Sequence, residues 1–201
     1  MKPLSPPWRA TRRLLTSAAL ALLAGCASQQ ALVPQVRSQA TGDGGQSVSV
    51  APERLTCQAG PGCPQLSARW LSGKKGLAQL TIYLPGTQAE ITGADVMVGG
   101  GETLRLRSRV ASADALPGHV ASSFDVPLRV IDRIAYGSRP WMRIYIADGR
   151  QVDESIDSGE QRSRAAEAMA YFLQAVQSAG GSGAALEGAR GGLLDRLGGG
   201  K

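Results

Sequence analysis

Apolar residues at every second position, in short runs broken by glycine and proline, constrain this chain more than any other feature. Leu66, Ala68 and Trp70 alternate with polar neighbours ahead of Gly73-Lys74-Lys75-Gly76, and Leu80, Ile82 and Leu84 do so ahead of Pro85-Gly86. A period of two gives each run one apolar face, which is the pattern of half-buried antiparallel strands. The run Ile91 to Val98 follows, with Gly93 marking a bulge or bend. After Gly99-Gly100-Gly101, a turn without the Gly-Lys-Ser/Thr ending of a phosphate loop, Leu104, Leu106 and Val110 alternate with Arg105, Arg107 and Arg109. Ala111 to Val120 reads as a loop. The extended run of Phe124 and Val126 stops at Pro127, which places it at an edge or at its own end. Val130, Ile131 and Ile134 fit a helical turn or another short strand, of which the strand is favoured. Trp141, Arg143 and Tyr145 interleave with Met142, Ile144 and Ile146, and Asp148-Gly149 predicts a type I′ hairpin turn into Arg150 to Ile156.

The period then changes. Ala165, Met169, Phe172 and Val176 recur at helical spacing, with Ser158 and Gln161 as a capping box and Gly180-Gly181 as a stop. The expected fold is α+β and mainly β, an antiparallel sandwich or partial barrel covered by one C-terminal amphipathic helix. Seven or so strands followed by a helix resemble the pleckstrin-homology arrangement over Leu66 to Ser178, in topology alone. That resemblance implies a scaffold presenting loops to lipids or peptides, although fold alone does not set function.

The N-terminus carries a different signal. Lys2, Arg9, Arg12 and Arg13 precede an apolar run from Leu14 to Gly25, too short to span a bilayer comfortably. It ends in Leu23-Ala24-Gly25-Cys26, which resembles the lipobox of bacterial lipoproteins. The resemblance implies that residues 1–25 are removed and that Cys26 carries diacylglycerol. Each buried CH₂ contributes roughly 0.8 kcal/mol, so two or three chains anchor permanently. Ala27 stands where an Asp would signal inner-membrane retention, which implies the outer membrane, facing the periplasm. Residues 26–52 then read as a lipidated tether, within which Val48 and Val50 could form a short strand, 53–178 as one β-rich domain, and 179–201, with nine glycines, as a flexible tail.

Charge supports this division. Of 22 Lys and Arg, four lie in the first 25 residues, which hold no acid; the remaining 18 face 16 acids, a net of +2. No basic tract is left to follow a phosphate backbone, so nucleic acid is not an expected partner. Cys57 and Cys63 flank a Gly-Pro turn and, in an oxidising compartment, read as a disulfide. A metal pair would want further His or Cys ligands nearby, and a redox site would want Cys-x-x-Cys spacing.

Chemistry-bearing residues are sparse. His119, the only histidine, follows Pro117-Gly118, and no Gly-x-Ser-x-Gly elbow accompanies it. Asp153, Glu154 and Asp157 cluster ahead of the helix, where negative charge suits its N-terminus. Arg105, Arg107 and Arg109, on one strand face, form a candidate surface for an anionic lipid or acidic protein; the structural alternative is a solvated face paired to neighbouring acids. The expected function is a non-enzymatic interaction or envelope-assembly module without a cofactor or metal. A small periplasmic hydrolase and a carrier of an apolar ligand are the alternatives. The first test concerns the anchor: wild-type cells fed labelled palmitate should mark the protein, and Cys26→Ala should abolish the label and release the protein from the membrane fraction. Identical fractionation of the two forms would remove the lipoprotein reading.

Overall fold

A computed structural model describes residues 33–57, 62–74, 76–107, 109–110 and 116–181. The lipobox, the interior of the cysteine loop and nearly all of the glycine-rich tail lie outside these residues. In the unit that starts at Pro34, the elements run β1 (Val36–Ala40), β2 (Gln46–Arg54), β3 (Gln65–Leu71), β4 (Leu77–Pro85), β5 (Ile91–Val98), β6 (Glu102–Leu106), β7 (Arg109–Val110), β8 (His119–Pro127), α1 (Leu128–Tyr136), β9 (Trp141–Ile146), β10 (Gln151–Ser155) and α2 (Arg164–Ser178).

The strands form two antiparallel sheets that do not close into a barrel. One has six strands in the order β1-β2-β3-β4-β8-β7, the other four in the order β10-β9-β5-β6. The alternation seen in the sequence marks the core-facing side chains: Leu66, Ala68, Trp70, Leu80, Ile82 and Leu84 point into the core from β3 and β4, and Val96, Met142, Ile144 and Ile146 from β5 and β9, while Thr81 and Tyr83 on the other face of the central strand β4 are buried as well. Both helices belong to the same core. Ala165, Met169, Phe172 and Val176 of α2 are fully buried, and that helix packs on α1 and on β2 and β3. The disulfide Cys57–Cys63 is formed, with Cα atoms 5.7 Å apart, and ties the chain leaving β2 to the start of β3. Gly93 sits at a register shift between β5 and β9, the expected bulge. Among the described residues, no helix is long and apolar enough to cross a membrane.

Five local expectations are corrected. Much of the expected tether, residues 36–52, lies in β1 and β2. Val48 and Val50 enter the core, whereas β1 is a mostly exposed edge strand held by its backbone ladder to β2 and so lacks apolar alternation. The short strand expected at Val130 to Ile134 is α1; Leu128, Val130, Ile131, Ile134 and Ala135 make an inward helical stripe, and Pro127 precedes the first turn with φ −58° and ψ 144°. Helix α2 opens at Ser163, whose Oγ accepts from Ala166 N at 3.0 Å, and not at Ser158. Ser158 instead accepts from Gln161 N at 3.0 Å in a preceding turn. The β9–β10 hairpin is present, but Ile146 N is bonded to Arg150 O, which leaves Ala147-Asp148-Gly149 as its loop, with Gly149 at φ 86°. A three-residue loop ending in a left-handed glycine therefore replaces the two-residue type I′ turn. Finally, the strand expected from Leu104 to Val110 is two strands in different sheets.

Asp132 on α1 is 6% exposed, and its Oδ1 has no hydrogen-bond partner among the described residues. Burial raises its pKa above the usual carboxylate value, against a smaller opposing pull from Arg133. The folded chain then holds this proton more tightly than the unfolded chain. The associated stability is complete below the ordinary carboxylate range and is lost as pH rises through the raised value. Asp132→Asn should therefore raise Tm near neutral pH and have little effect in acid; an equal shift at both pH values would contradict this. Truncating the fully buried Phe172 to Ala should cost about 3–5 kcal/mol in urea denaturation, and a cost below about 1 kcal/mol would show that α2 does not close the core.

Candidate functional site

The outer face of the four-stranded sheet collects the side chains that alternate with the core residues. Pairing register places them in rows. Asp153 on β10, Arg143 on β9, Asp95 on β5 and Arg105 on β6 form one row, with charge alternating across all four strands. Ser155, Trp141, Met97 and Thr103 form the next, and Gln151, Tyr145 and Gly93 the row on the other side. Directly opposed unlike charges are favourable on a sheet, so the sequence pattern itself favours this register.

Asp95 is the centre of the face. It is 9% exposed, between the buried Ala94 and Val96, and both of its oxygens are used. Arg107 Nη2 donates to Oδ1 at 2.7 Å, and Tyr145 Oη donates to Oδ2 at 2.8 Å. Arg107 is held further by Nη1, which donates to Ala94 O at 2.8 Å and Leu106 O at 3.0 Å, and its guanidinium lies 5.1 Å from the Tyr145 ring centroid. The hydrogen bond to Asp95, followed by burial, pushes the Tyr145 phenol above its ordinary pKa. Gly93 is required beside them, because a Cβ there would come within 2.9 Å of Arg107 Nη1 and 3.1 Å of Leu106 O.

The neighbouring row is fixed in the same way. Arg143 makes a two-pronged contact with Asp153, Nε to Oδ1 at 2.7 Å and Nη2 to Oδ2 at 2.6 Å, and lies 5.4 Å from the Trp141 ring. That contact lowers the Asp153 pKa and holds Arg143 more firmly charged than usual. Two hollows flank the centre. One, about 410 Å³, is lined by Trp141, Met97, Thr103, Arg139 and the Gly99–Gly101 turn; the other, about 330 Å³, by Tyr145, Arg107, Thr92 and Arg150. Arg139 takes up φ 46°, an unusual value for a residue with a side chain, at the rim of the first hollow.

The arginines singled out from sequence are separated by the fold. Arg105 faces outward on β6 and forms no ion pair among the described residues. Arg107 follows that strand and is bound to Asp95, and Arg109 lies on β7 in the other sheet, paired with Glu90. They share no strand face, because the chain changes sheets between Leu106 and Arg109. His119 begins β8. Its Nδ1 lies 2.9 Å from Pro117 O, which can only accept, so Nδ1 carries the proton and Nε2 accepts from Gln65 Nε2 at 3.2 Å. The acids also separate: Asp153 lies on the outer face, Glu154 alternates to the side of Met142, where burial raises its pKa, and Asp157 Oδ1 accepts from Gly159 N at 2.8 Å. No group of three His, Cys, Asp or Glu able to hold a metal occurs among the described residues.

Asp95, Trp141 and Tyr145 were not recognised as functional from the sequence. The available signal was a lone acid inside the apolar run of β5, together with aromatics alternating with Arg143 on β9. If Asp95 holds the face as described, Asp95→Asn should return the Tyr145 ionisation toward the ordinary tyrosine range in an ultraviolet pH titration, with Tyr145→Phe used to assign the transition. It should also cost about 1–3 kcal/mol of stability. An unchanged titration would break the link between the two residues. No protein-family model matches the chain, and neither a curated protein nor a solved structure does, so its chemistry is read from these residues alone.

Proposed function

We propose that this chain is a lipid-anchored, non-enzymatic interaction module of the bacterial envelope, held at the outer membrane through Cys26, and that a protein partner docks on the outer face of its four-stranded sheet. The observation that carries this reading is the set of residues on that face. Trp141, Tyr145, Arg143, Arg105 and Met97 share one sheet face, and Trp, Tyr and Arg are the residue types that dominate binding energy at protein interfaces. The surface is also stiff. Arg143 and Tyr145 are already fixed by Asp153 and Asp95, so docking would immobilise few additional rotamers. The flanking hollows offer places for a partner's apolar side chains beside Trp141 and Tyr145.

Arg105 gives the face an exposed cation that is not committed to an acid among the described residues, and an acidic group on the partner would meet it. The lipid would keep the module at the membrane and raise its effective concentration toward envelope proteins.

A photo-crosslinking amino acid at Thr103, in cells that make the protein naturally, should yield a discrete protein adduct. Trp141→Ala should reduce that adduct by roughly tenfold or more, as expected for an aromatic anchor. The same probe at Gln79, on the six-stranded sheet, serves as the control. Absence of an adduct at Thr103, or an adduct indifferent to Trp141→Ala, would overturn this assignment.

A further inference from the structure

The outer face of the six-stranded sheet carries a second, unrelated feature. Register places Arg37 on β1, Ser49 on β2 and Arg69 on β3 in one row. Neighbouring strands lie about 4.8 Å apart, so the two arginines stand roughly 10 Å apart with a serine between them. Both are exposed, and neither forms an ion pair among the described residues. Asp125, the carboxylate at the far end of the same row, is engaged by Lys74 at 3.1 Å. Two like charges on one face with no counter-ion repel each other, and an anion between them would relieve that repulsion.

The surface below them is hollow and rich in hydroxyl groups. A groove of about 320 Å³ is lined by both arginines and by Ser49, Ser67, Thr81 and Tyr83; among the described residues no carboxylate lines it. Ser67 Oγ and Tyr83 Oη lie 3.2 Å apart. One proton of that pair is used between them and the other remains available to a ligand. Thr81 Oγ1, bonded to Ser123 Oγ at 2.7 Å, fixes the groove floor.

We propose that this groove binds a phosphate monoester, with Arg37 and Arg69 gripping it from opposite sides and the Ser49 and Ser67–Tyr83 hydroxyls meeting its remaining oxygens. The choice of anion follows from the geometry. A planar carboxylate satisfies one guanidinium fork, whereas a tetrahedral group with three free oxygens can accept from two forks and from hydroxyls below. Near neutral pH a monoester is also close to a dianion, matching two cations. The monoester could be carried on a lipid headgroup or be free in solution; the chemistry is the same, and the site is independent of the four-stranded face.

The full chain in neutral detergent should be titrated calorimetrically with inorganic phosphate and, separately, with dihexanoyl phosphatidic acid, using dihexanoyl phosphatidylcholine as the uncharged-headgroup reference. Saturable binding is expected, weakening with added salt. It should fall roughly tenfold or more in the Arg37→Gln/Arg69→Gln variant, while Arg105→Gln should leave it unchanged. Tighter binding of phosphatidic acid than of phosphate assigns the monoester to a lipid, and the reverse order assigns it to a free ligand. Because both arginines are exposed, the double variant should keep the wild-type Tm, so a loss of binding would not reflect unfolding. Failure of both probes to bind saturably, or equal affinity of the double variant, would overturn the proposal.

Discussion

The contact between Asp95 and Arg107 stands where the chain passes from one sheet to the other. Strand β6 ends at Leu106, Arg107 follows, and by Arg109 the backbone is paired with β8 in the six-stranded sheet. Arg107 caps that exit. It binds the Asp95 side chain and two backbone carbonyls, Ala94 O and Leu106 O, which joins β5 to the end of β6. Tyr145 adds β9 through the other oxygen of the same carboxylate. A nearly buried carboxylate is costly unless its hydrogen-bonding capacity is met. Here it is met by a cation and a phenol drawn from two other parts of the sheet, so the arrangement of the three segments is specified together. The bulge at Gly93 leaves the space that Arg107 occupies.

From this contact the two outer faces acquire different characters. On the four-stranded sheet most charges are spent on one another, through Arg107 with Asp95 and Arg143 with Asp153. What remains is an aromatic and guanidinium surface of low net charge and fixed geometry, suited to a macromolecular partner. On the six-stranded sheet Ser67 pairs with Tyr83 and Thr81 with Ser123, whereas Arg37 and Arg69 meet no acid among the described residues, and none of those residues lining the groove beneath them is acidic. With 18 basic and 16 acidic residues after Gly25, the chain as a whole is nearly balanced. Its electrostatic properties therefore depend on which cations lack a local acid and not on overall charge.

The sequence disclosed the fold class better than it disclosed the sites. Period-two alternation located β3, β4, β9 and the greater part of β5, because their core-facing residues are apolar at every second position, even in β4 and β5, where much of the opposite face is buried too. It failed for β1, an edge strand whose stability comes from backbone pairing, and for α1, whose nine residues are too few for a helical period to stand out from a strand pattern. The helix start was misplaced because Ser158 and Ser163 both offer caps, and only tertiary packing selects the second. The arginine row of Arg105, Arg107 and Arg109 had the right period for one strand, yet no local feature announced that the chain would change sheets in its midst. The two arginine-bearing surfaces instead depend on pairing between distant segments: Arg37 meets Arg69 only through β2, and Arg143 meets Asp95 only because β9 lies beside β5. A single sequence read for local pattern does not contain that information.

On the proposed reading, the four-stranded sheet presents a pre-stiffened face to a partner in the envelope. Hydrogen–deuterium exchange resolves this strand by strand when the full chain in native membranes is compared with the same chain extracted into neutral detergent. Loss of the partner on extraction should speed exchange at the amides of the edge strand β6 and of neighbouring β5 and β9, while the interior strands β3 and β4 exchange alike in both preparations. Equal rates across β5, β6 and β9 in the two preparations would contradict the account.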